Sequence, residues 1–228
     1  MALILCIETS TKACSVALFE DGNLLANKEL ITGQFTHAEN LHLFAGEVMK
    51  ITGKTFGHLS AIAVSGGPGS YTGLRIGVSA AKGWCYSLDI PLITVNTLLL
   101  VAIAARDRLV NEKAVFLPLL DARRMEVFCA AYNKNLEEIW APHPEIITEK
   151  SFEDLLNENK VVFCGNGAEK CKPVFEKHPN ALFAEMMNPL ARYMGEVSFK
   201  KFKEQAFEDL AYFGPSYLKE FYSTQNPA

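Results

Sequence analysis

Predicted strands and helices follow one another in the same order twice along the 228 residues, and this repetition restricts the choice of fold more than any other feature. Each half is predicted to contain three strands, then helix, strand, helix, strand and helix. The division between the halves falls near Arg106–Lys113. A duplicated α/β unit of this kind predicts two lobes, each with its own mixed sheet and covering helices.

Turn residues and apolar spacing set the elements of both halves. Asp21-Gly22 predicts a hairpin, and Thr36 with Glu39 fits a capping box that opens a first helix ending at Gly53. The predicted strands are 3–8, 15–19, 24–31, 61–65, 91–95, 114–120, 125–132, 137–140, 161–164 and 181–183. The other predicted helices are 74–88, 97–109, 151–157, 167–176 and 189–207. This layout is that of the duplicated actin-like ATPase (ribonuclease H-like) fold. Its N-terminal lobe would span residues 1–108, and a smaller C-terminal lobe with a final helix and tail would span 109–228.

The composition argues against several classes of function. A net charge of −4 and a pI of about 5.8 argue against direct nucleic-acid binding, which needs clustered Lys and Arg. No stretch reaches the roughly 18 apolar residues of a membrane span, so no membrane association is predicted. The six cysteines form no C-x-x-C pair, which favours reduced, buried thiols and a cytoplasmic location.

The segment SGGPGSYTGLRIG, residues 65–77, has two interpretations. A glycine-rich turn between a strand and a helix can bind phosphate through backbone amides. The loop has no lysine, however, and Pro68 removes one amide donor, so it matches neither common phosphate-binding motif. Alternatively, Gly73, Gly77 and Gly83 make the second helix thin, so that other helices pack closely on it, either within the chain or from a partner.

Several motifs together carry a family resemblance. They are ILCIETSTKACSVALF at the start, GGPGSYTGLRIG, DARRMEVFCAAY at 121–132, GNGA at 165–168 and PSYLK at 215–219. The chain resembles the TsaB (YeaZ) family, paralogues of the TsaD subunit that attaches threonylcarbamoyl to tRNA adenosine (t6A). The resemblance covers the whole chain. It implies the two-lobed actin-like fold and a scaffold role in t6A formation.

The resemblance also implies that the catalytic groups of the paralogue are missing. That paralogue typically carries an acidic pair where this chain has Lys12 and Ala13, and an H-x-x-x-H metal pair where it has Thr97 and Val101. We therefore predict no catalytic residue, no metal and no cofactor. A vestigial nucleotide cleft is predicted at Glu8, Thr9, Ser10, Gly67, Gly69 and Asp121.

Other readings of the same residues remain open. Glu8, Thr9, Asp121 and the glycine loop also suit an independent ATP-binding enzyme. An older family label implies a peptidase, for which Ser70 or Cys85 would be the nucleophile, although no histidine lies near either in sequence. Asp121 either borders a cleft or precedes a hairpin turn at Ala122–Arg124, and the hairpin is favoured.

The first two helices are the predicted partner surface. In the family these helices contact TsaD or a second TsaB, so we interpret the thin second helix as a docking surface. The predicted interface residues are His37, Asn40, Leu41, Phe44, Ala45, Val48, Leu74, Gly77, Ala80, Ala81 and Trp84. The predicted partners are a TsaD-type catalytic subunit and a TsaE-type ATPase, with a homodimer forming when the chain is alone.

Overall fold

Two five-stranded mixed sheets form the body of the computed structural model, which describes residues 1–109 and 114–219. The first sheet has the order β3-β2-β1-β4-β5, in which β1 is antiparallel to β2 and parallel to β4. Its strands are β1 Leu3–Glu8, β2 Ala13–Glu20, β3 Asn23–Ile31, β4 Ala61–Gly67 and β5 Leu92–Asn96. The buried runs of β1, β2 and β4 are covered on both faces, as their nearly continuous apolar sequences predict.

The second sheet repeats this topology. Its strands are β6 Ala114–Asp121, β7 Glu126–Tyr132, β8 Glu138–Ile146, β9 Lys160–Cys164 and β10 Ala181–Phe183. The order is β10-β9-β6-β7-β8, with β6 antiparallel to β7 and parallel to β9. Each sheet therefore has a central strand flanked by an antiparallel meander on one side and parallel strands on the other. The predicted duplication is confirmed.

Helices cover the sheets in layers. The helices are α1 His37–Thr52, α2 Tyr71–Leu88, α3 Thr97–Arg108, α4 Glu153–Glu158, α5 Ala168–Phe175 and α6 Gly195–Lys203, with 3₁₀ turns at Phe56–His58 and Ala191–Tyr193. The helices α1 and α2 pack on one face of the first sheet, while α4 and α5 pack on the outer face of the second. The apolar α3 lies between the two sheets and contributes to a core on each side. No helix within the described ranges is long and apolar enough to cross a membrane.

Two local predictions are wrong. The Thr36 side chain makes no capping bond. The Thr36 carbonyl instead accepts hydrogen bonds from the Asn40 backbone and side chain. The single helix predicted over 189–207 is a 3₁₀ turn followed by the nine-residue α6. Gly195, the first residue of α6, lies against the ring of Phe19, where a Cβ atom would overlap the ring.

The chain returns to the first sheet after the second is complete. Helix α6 contacts β1, β3 and β5, and Lys201 Nζ donates a hydrogen bond of 2.8 Å to the Thr94 carbonyl. The final helix assigned to the C-terminal lobe thus packs on the N-terminal sheet. The boundary between residues 108 and 109 stays a prediction, because residues 110–113, like 220–228, lie outside the described residues.

Candidate functional site

The loop after β1 and the glycine loop after β4 fit directly against each other. The Ser70 amide donates a hydrogen bond of 2.6 Å to the Ser10 carbonyl. A Cβ atom at Gly69 would lie 2.5 Å from that same carbonyl oxygen, so only glycine permits this approach. The predicted cleft residues Ser10 and Gly69 are therefore brought together, and the loop amide is satisfied within the chain.

Thr9 explains two of the glycines in α2. Thr9 Oγ1 donates a hydrogen bond of 2.8 Å to the Gly73 carbonyl. A Cβ atom at Gly73 would overlap the Thr9 carbonyl, and one at Gly77 would overlap Thr9 Oγ1. Gly73 and Gly77 are therefore small because the β1–β2 loop lies against them. The prediction that Gly77 leaves space for a partner helix is wrong, since the chain itself fills that space.

Glu8 lies at the centre of this arrangement as a fully buried carboxyl group. Burial raises the pKa of Glu8 to about 7, although contacts with the Ser10 side chain, the Ser10 amide and the Ser65 side chain lower it. The Ser10 amide donates to Glu8 Oε1 at 2.5 Å. Glu8 Oε2, Ser10 Oγ and Ser65 Oγ make no hydrogen bond with the described residues. The cluster is thus a set of buried polar groups at the carboxyl end of β1 and β4.

His37 holds the other side of the β1–β2 loop. The ring is buried, and its Nε2 lies 2.8 Å from the Thr11 carbonyl, so Nε2 carries the proton and donates. Burial lowers the pKa of His37, and the hydrogen bond to Thr11 opposes this shift. The neutral ring of His37 therefore positions the β1–β2 loop.

Asp121 makes its contacts within the second lobe. The carboxylate pairs with Lys170 and accepts a 2.7 Å hydrogen bond from the Arg123 amide. Partial burial raises the pKa of Asp121, but the bonds from Lys170 and Arg123 together hold it below its ordinary value. Arg123 and Arg124 have φ values of 70° and 46°. They form the hairpin between β6 and β7, so the favoured hairpin interpretation describes the structure.

The two candidate nucleophiles have structural contacts. Ser70 is the N-cap of α2, where its hydroxyl accepts a 3.2 Å hydrogen bond from the Gly73 amide. Burial raises the pKa of Cys85 to about 12, and its thiol donates to the Pro91 carbonyl at 3.5 Å. Neither residue contacts a histidine among the described hydrogen bonds, so this geometry does not support a peptidase.

The two positions at which the family resemblance implies a lost metal pair lie inside the protein. Thr97 and Val101 are both fully buried on α3, between the two sheets. Within residues 1–109 and 114–219, no three His, Cys, Asp or Glu side chains lie close enough together to hold a metal ion.

Most of the predicted interface residues belong to the first core. Burial in the single chain excludes direct contact with a partner for His37, Leu41, Ala45, Val48, Leu74, Gly77 and Ala81. Asn40, Phe44, Ala80 and Trp84 are half-buried. The sequence-based prediction assigned the buried residues to a partner, because one sequence does not show which apolar face of a helix packs within its own chain.

The outer surface of the α1–α2 pair is formed by other residues. The rings of His42 and Trp84 meet edge to face at 4.9 Å and join the two helices. Gly46, one turn after His42, and Gly83, next to Trp84, are exposed, and a Cβ atom at either would meet nothing within 4 Å. Exposed apolar side chains lie nearby in sequence, with Leu43 at 63% and Tyr86 at 83% exposure. Sequence reasoning missed Gly46, although it stands one turn from His42.

Two sheets of one repeated topology, with α3 between them and a glycine loop at the carboxyl end of β4, define a two-lobed α/β protein of the actin-like ATPase fold. The family model for TsaD, tRNA N6-adenosine threonylcarbamoyltransferase, matches residues 33–224. The tRNA threonylcarbamoyladenosine biosynthesis protein TsaB of Bacillus subtilis is 32% identical over 178 residues, which are 76% of this chain and 75% of that protein. The chain belongs to the TsaB (YeaZ) family.

A second relative agrees with this assignment, and a solved structure agrees with the fold. The TsaB protein of Escherichia coli K12 is 34% identical over 154 residues, 64% of this chain. The match spans 65% of that relative, slightly less than two thirds of its length. The solved structure of YeaZ from Pseudomonas aeruginosa superposes with a TM-score of 0.78 at 23% identity, covering 96% of this chain and 100% of that one. This likeness supports the fold.

Proposed function

We propose that this protein is a non-catalytic scaffold subunit in the formation of threonylcarbamoyladenosine on tRNA. The observation that carries the proposal is its membership of a family whose curated relatives are named for that pathway. The family model that matches most of the chain is that of the transferase itself. We therefore assign the chain to the same pathway, and the TsaD-type subunit is the partner we expect.

The geometry of the glycine loop supports a role without catalysis. Thr9 fills the space beside α2. The Ser10 carbonyl accepts the hydrogen bond of the Ser70 amide, which a ligand would otherwise accept. Glu8 is buried, with a pKa near neutrality, and Lys12 and Ala13 follow it where the paralogue has acids. These contacts within the chain fit a structural role better than a catalytic one.

The outer surface of the α1–α2 pair supports the docking role. A glycine inside a helix costs about 1 kcal/mol relative to alanine. Internal packing explains this cost at Gly73 and Gly77, but it does not explain it at Gly46 and Gly83, which nothing covers. Close approach of a second protein's helices does explain it. We propose that this surface binds a TsaD-type subunit, or a second copy of the chain when that subunit is absent, and that a TsaE-type ATPase joins the assembly. Direct binding to tRNA and to membranes is not part of the proposal, and we place the protein in the cytoplasm.

Co-elution on size exclusion tests the proposal. The protein and the TsaD-type subunit of the same genome are mixed with nucleotide present, and we expect one complex peak. Gly46→Arg and Gly83→Arg should each abolish the complex, because a long charged side chain would stand on the contact surface. Asn157→Arg adds the same charge to an exposed position of α4 and should leave the peak unchanged.

Three results would contradict the proposal. A complex that survives both glycine variants would place the contact elsewhere. Absence of any complex with the wild-type protein would remove the scaffold role. Saturable binding of Mg-ATP to the isolated chain in a calorimeter, followed by turnover, would favour the alternative of an independent ATP-binding enzyme.

A further inference from the structure

The last described residues, 208–219, cross the molecule as a segment that we call the strap. It begins at the edge of the first sheet, where the Glu208 amide donates a 2.9 Å hydrogen bond to the Leu92 carbonyl. Lys82 of α2 then donates to the carbonyls of Ala211 and Phe213, at 3.3 and 2.9 Å. Two backbone carbonyls of the strap are therefore bound by one lysine of α2.

Further along the chain, the strap lies against the glycine loop. The Ser216 amide donates a 2.7 Å hydrogen bond to the Gly66 carbonyl. The Ser216 carbonyl oxygen lies 2.6 Å from the place where a Cβ atom of Gly67 would be, and Gly67 has a φ of 113°. Gly67, the remaining glycine of the predicted cleft, thus makes room for the chain's own backbone.

The end of the strap joins both lobes. Arg75 Nε donates to the Tyr217 hydroxyl at 3.2 Å, and the rings of Tyr71 and Tyr217 lie 5.0 Å apart at the first turn of α2. Two residues later, Lys219 forms an ion pair with Glu126, which opens β7 of the second sheet. Glu126 is itself held in place, because Lys170 Nζ donates a 2.9 Å hydrogen bond to its carbonyl.

The strap covers the end of the sheet where α/β proteins bind their ligands. Parallel strands β1 and β4 end there side by side, at Glu8 and at Ser65 through Gly67. Ser65, whose buried hydroxyl makes no hydrogen bond with the described residues, immediately precedes the Gly66 carbonyl that the strap binds. A molecule approaching the glycine loop from this side would meet Ser216 and Tyr217 first.

We propose that residues 208–219 act as a built-in lid over the glycine loop, and that the Lys219–Glu126 ion pair latches this lid to the second lobe. Access to the loop and to the buried polar groups behind it requires release of this lid. The proposal rests on contacts within one chain and stands apart from the pairing with a TsaD-type subunit.

Hydrogen–deuterium exchange of the full-length protein tests the latch through a double-mutant cycle. Lys219→Met and Glu126→Gln should each speed exchange of the Ser216 amide by about threefold, the scale of one partly exposed ion pair. The double variant should exchange no faster than either single variant, since both remove the same interaction. Lys177→Met, an exposed lysine of the second lobe with no described contact, is the control and should change nothing.

A tyrosine pair tests the seat of the lid. Tyr217→Ala should speed exchange in both the strap and residues 66–75, whereas Tyr212→Ala should not, because Tyr212 is 89% exposed in the same segment. Circular dichroism confirms that each variant is folded. Two results would overturn the proposal: multiplicative effects of Lys219→Met and Glu126→Gln, or unchanged exchange at residues 66–75 when Tyr217 is removed. Neither measurement involves a partner, so the lid proposal fails or succeeds independently of the co-elution test.

Discussion

Replacing Glu8 by glutamine should change how stability depends on pH. The pKa of this buried carboxyl is raised from 4.5 to about 7, so the folded state binds the proton more tightly than the unfolded state. Its contribution to stability is complete below pH 4.5 and is lost as the pH rises towards the folded-state pKa. Between about pH 5 and pH 8.5, this linkage removes about 2.5 kcal/mol from the free energy of unfolding. Glutamine keeps the shape of the side chain and never ionises.

Urea unfolding at several pH values measures the effect. The difference in unfolding free energy between Glu8→Gln and the wild type should move in favour of the variant by about 2.5 kcal/mol from pH 5 to pH 8.5. In a thermal scan this corresponds to a shift of about 5–10 °C for a chain of this size. Taking the difference between the two proteins removes the opposing titration of His37, which both share. If the difference in unfolding free energy between the two proteins stays constant with pH, the idea that burial disfavours the ionised form of Glu8 is refuted.

Three further predictions concern the same region and the core. Gly77→Ala should destabilise the fold by about 1–2 kcal/mol, because Thr9 fills the space that the new methyl group needs, whereas Gly83→Ala should stabilise the fold by up to about 1 kcal/mol. Urea unfolding measures both changes, and changes in the unfolding free energy of the same sign would contradict this account. NMR titration should place the pKa of His37 below 6.5, because burial lowers it, so the stabilising neutral form is lost as the pH falls below 6.5; a pKa at or above 6.5 would contradict the burial of the ring. All six cysteines are buried, so a thiol reagent should label none of them in the native protein and all of them in urea; rapid native labelling would contradict the packing.

The sequence predicted the sheets better than the helix ends. Apolar runs such as 3–8 and 161–164 identify buried strands because central strands tolerate little else. The long helix predicted over 189–207 was wrong at both ends, since the α-helix spans only Gly195–Lys203 and follows a 3₁₀ turn. The capping box at Thr36 was wrong because the spacing of two residue types does not fix their rotamers.

The candidate site was predicted in its composition but not in its arrangement. Glu8, Ser10 and Gly69 were chosen from motifs, and the structure brings them together. Asp121 stays with Lys170 in the other lobe, since long-range proximity depends on the relation of two sheets that no local pattern encodes. The thin helix was recognised, but the residue that fills it, Thr9, lies 64 positions from Gly73, and periodicity along one helix carries no information about such a neighbour.

The return of α6 and the strap to the first sheet sets an order of completion during synthesis. The strands and helices of the second sheet occupy one continuous stretch, from Ala114 to Phe183, and can assemble as soon as that stretch has left the ribosome. The first sheet waits longer, because the helix that covers β1 and β5 is translated only after the second sheet is complete. In this chain, the half made first is therefore the half finished last. A fragment cut after residue 108 would keep α3 but would lack α6, whose apolar side chains also pack on the core that contains Ile4, Cys6 and Ile93.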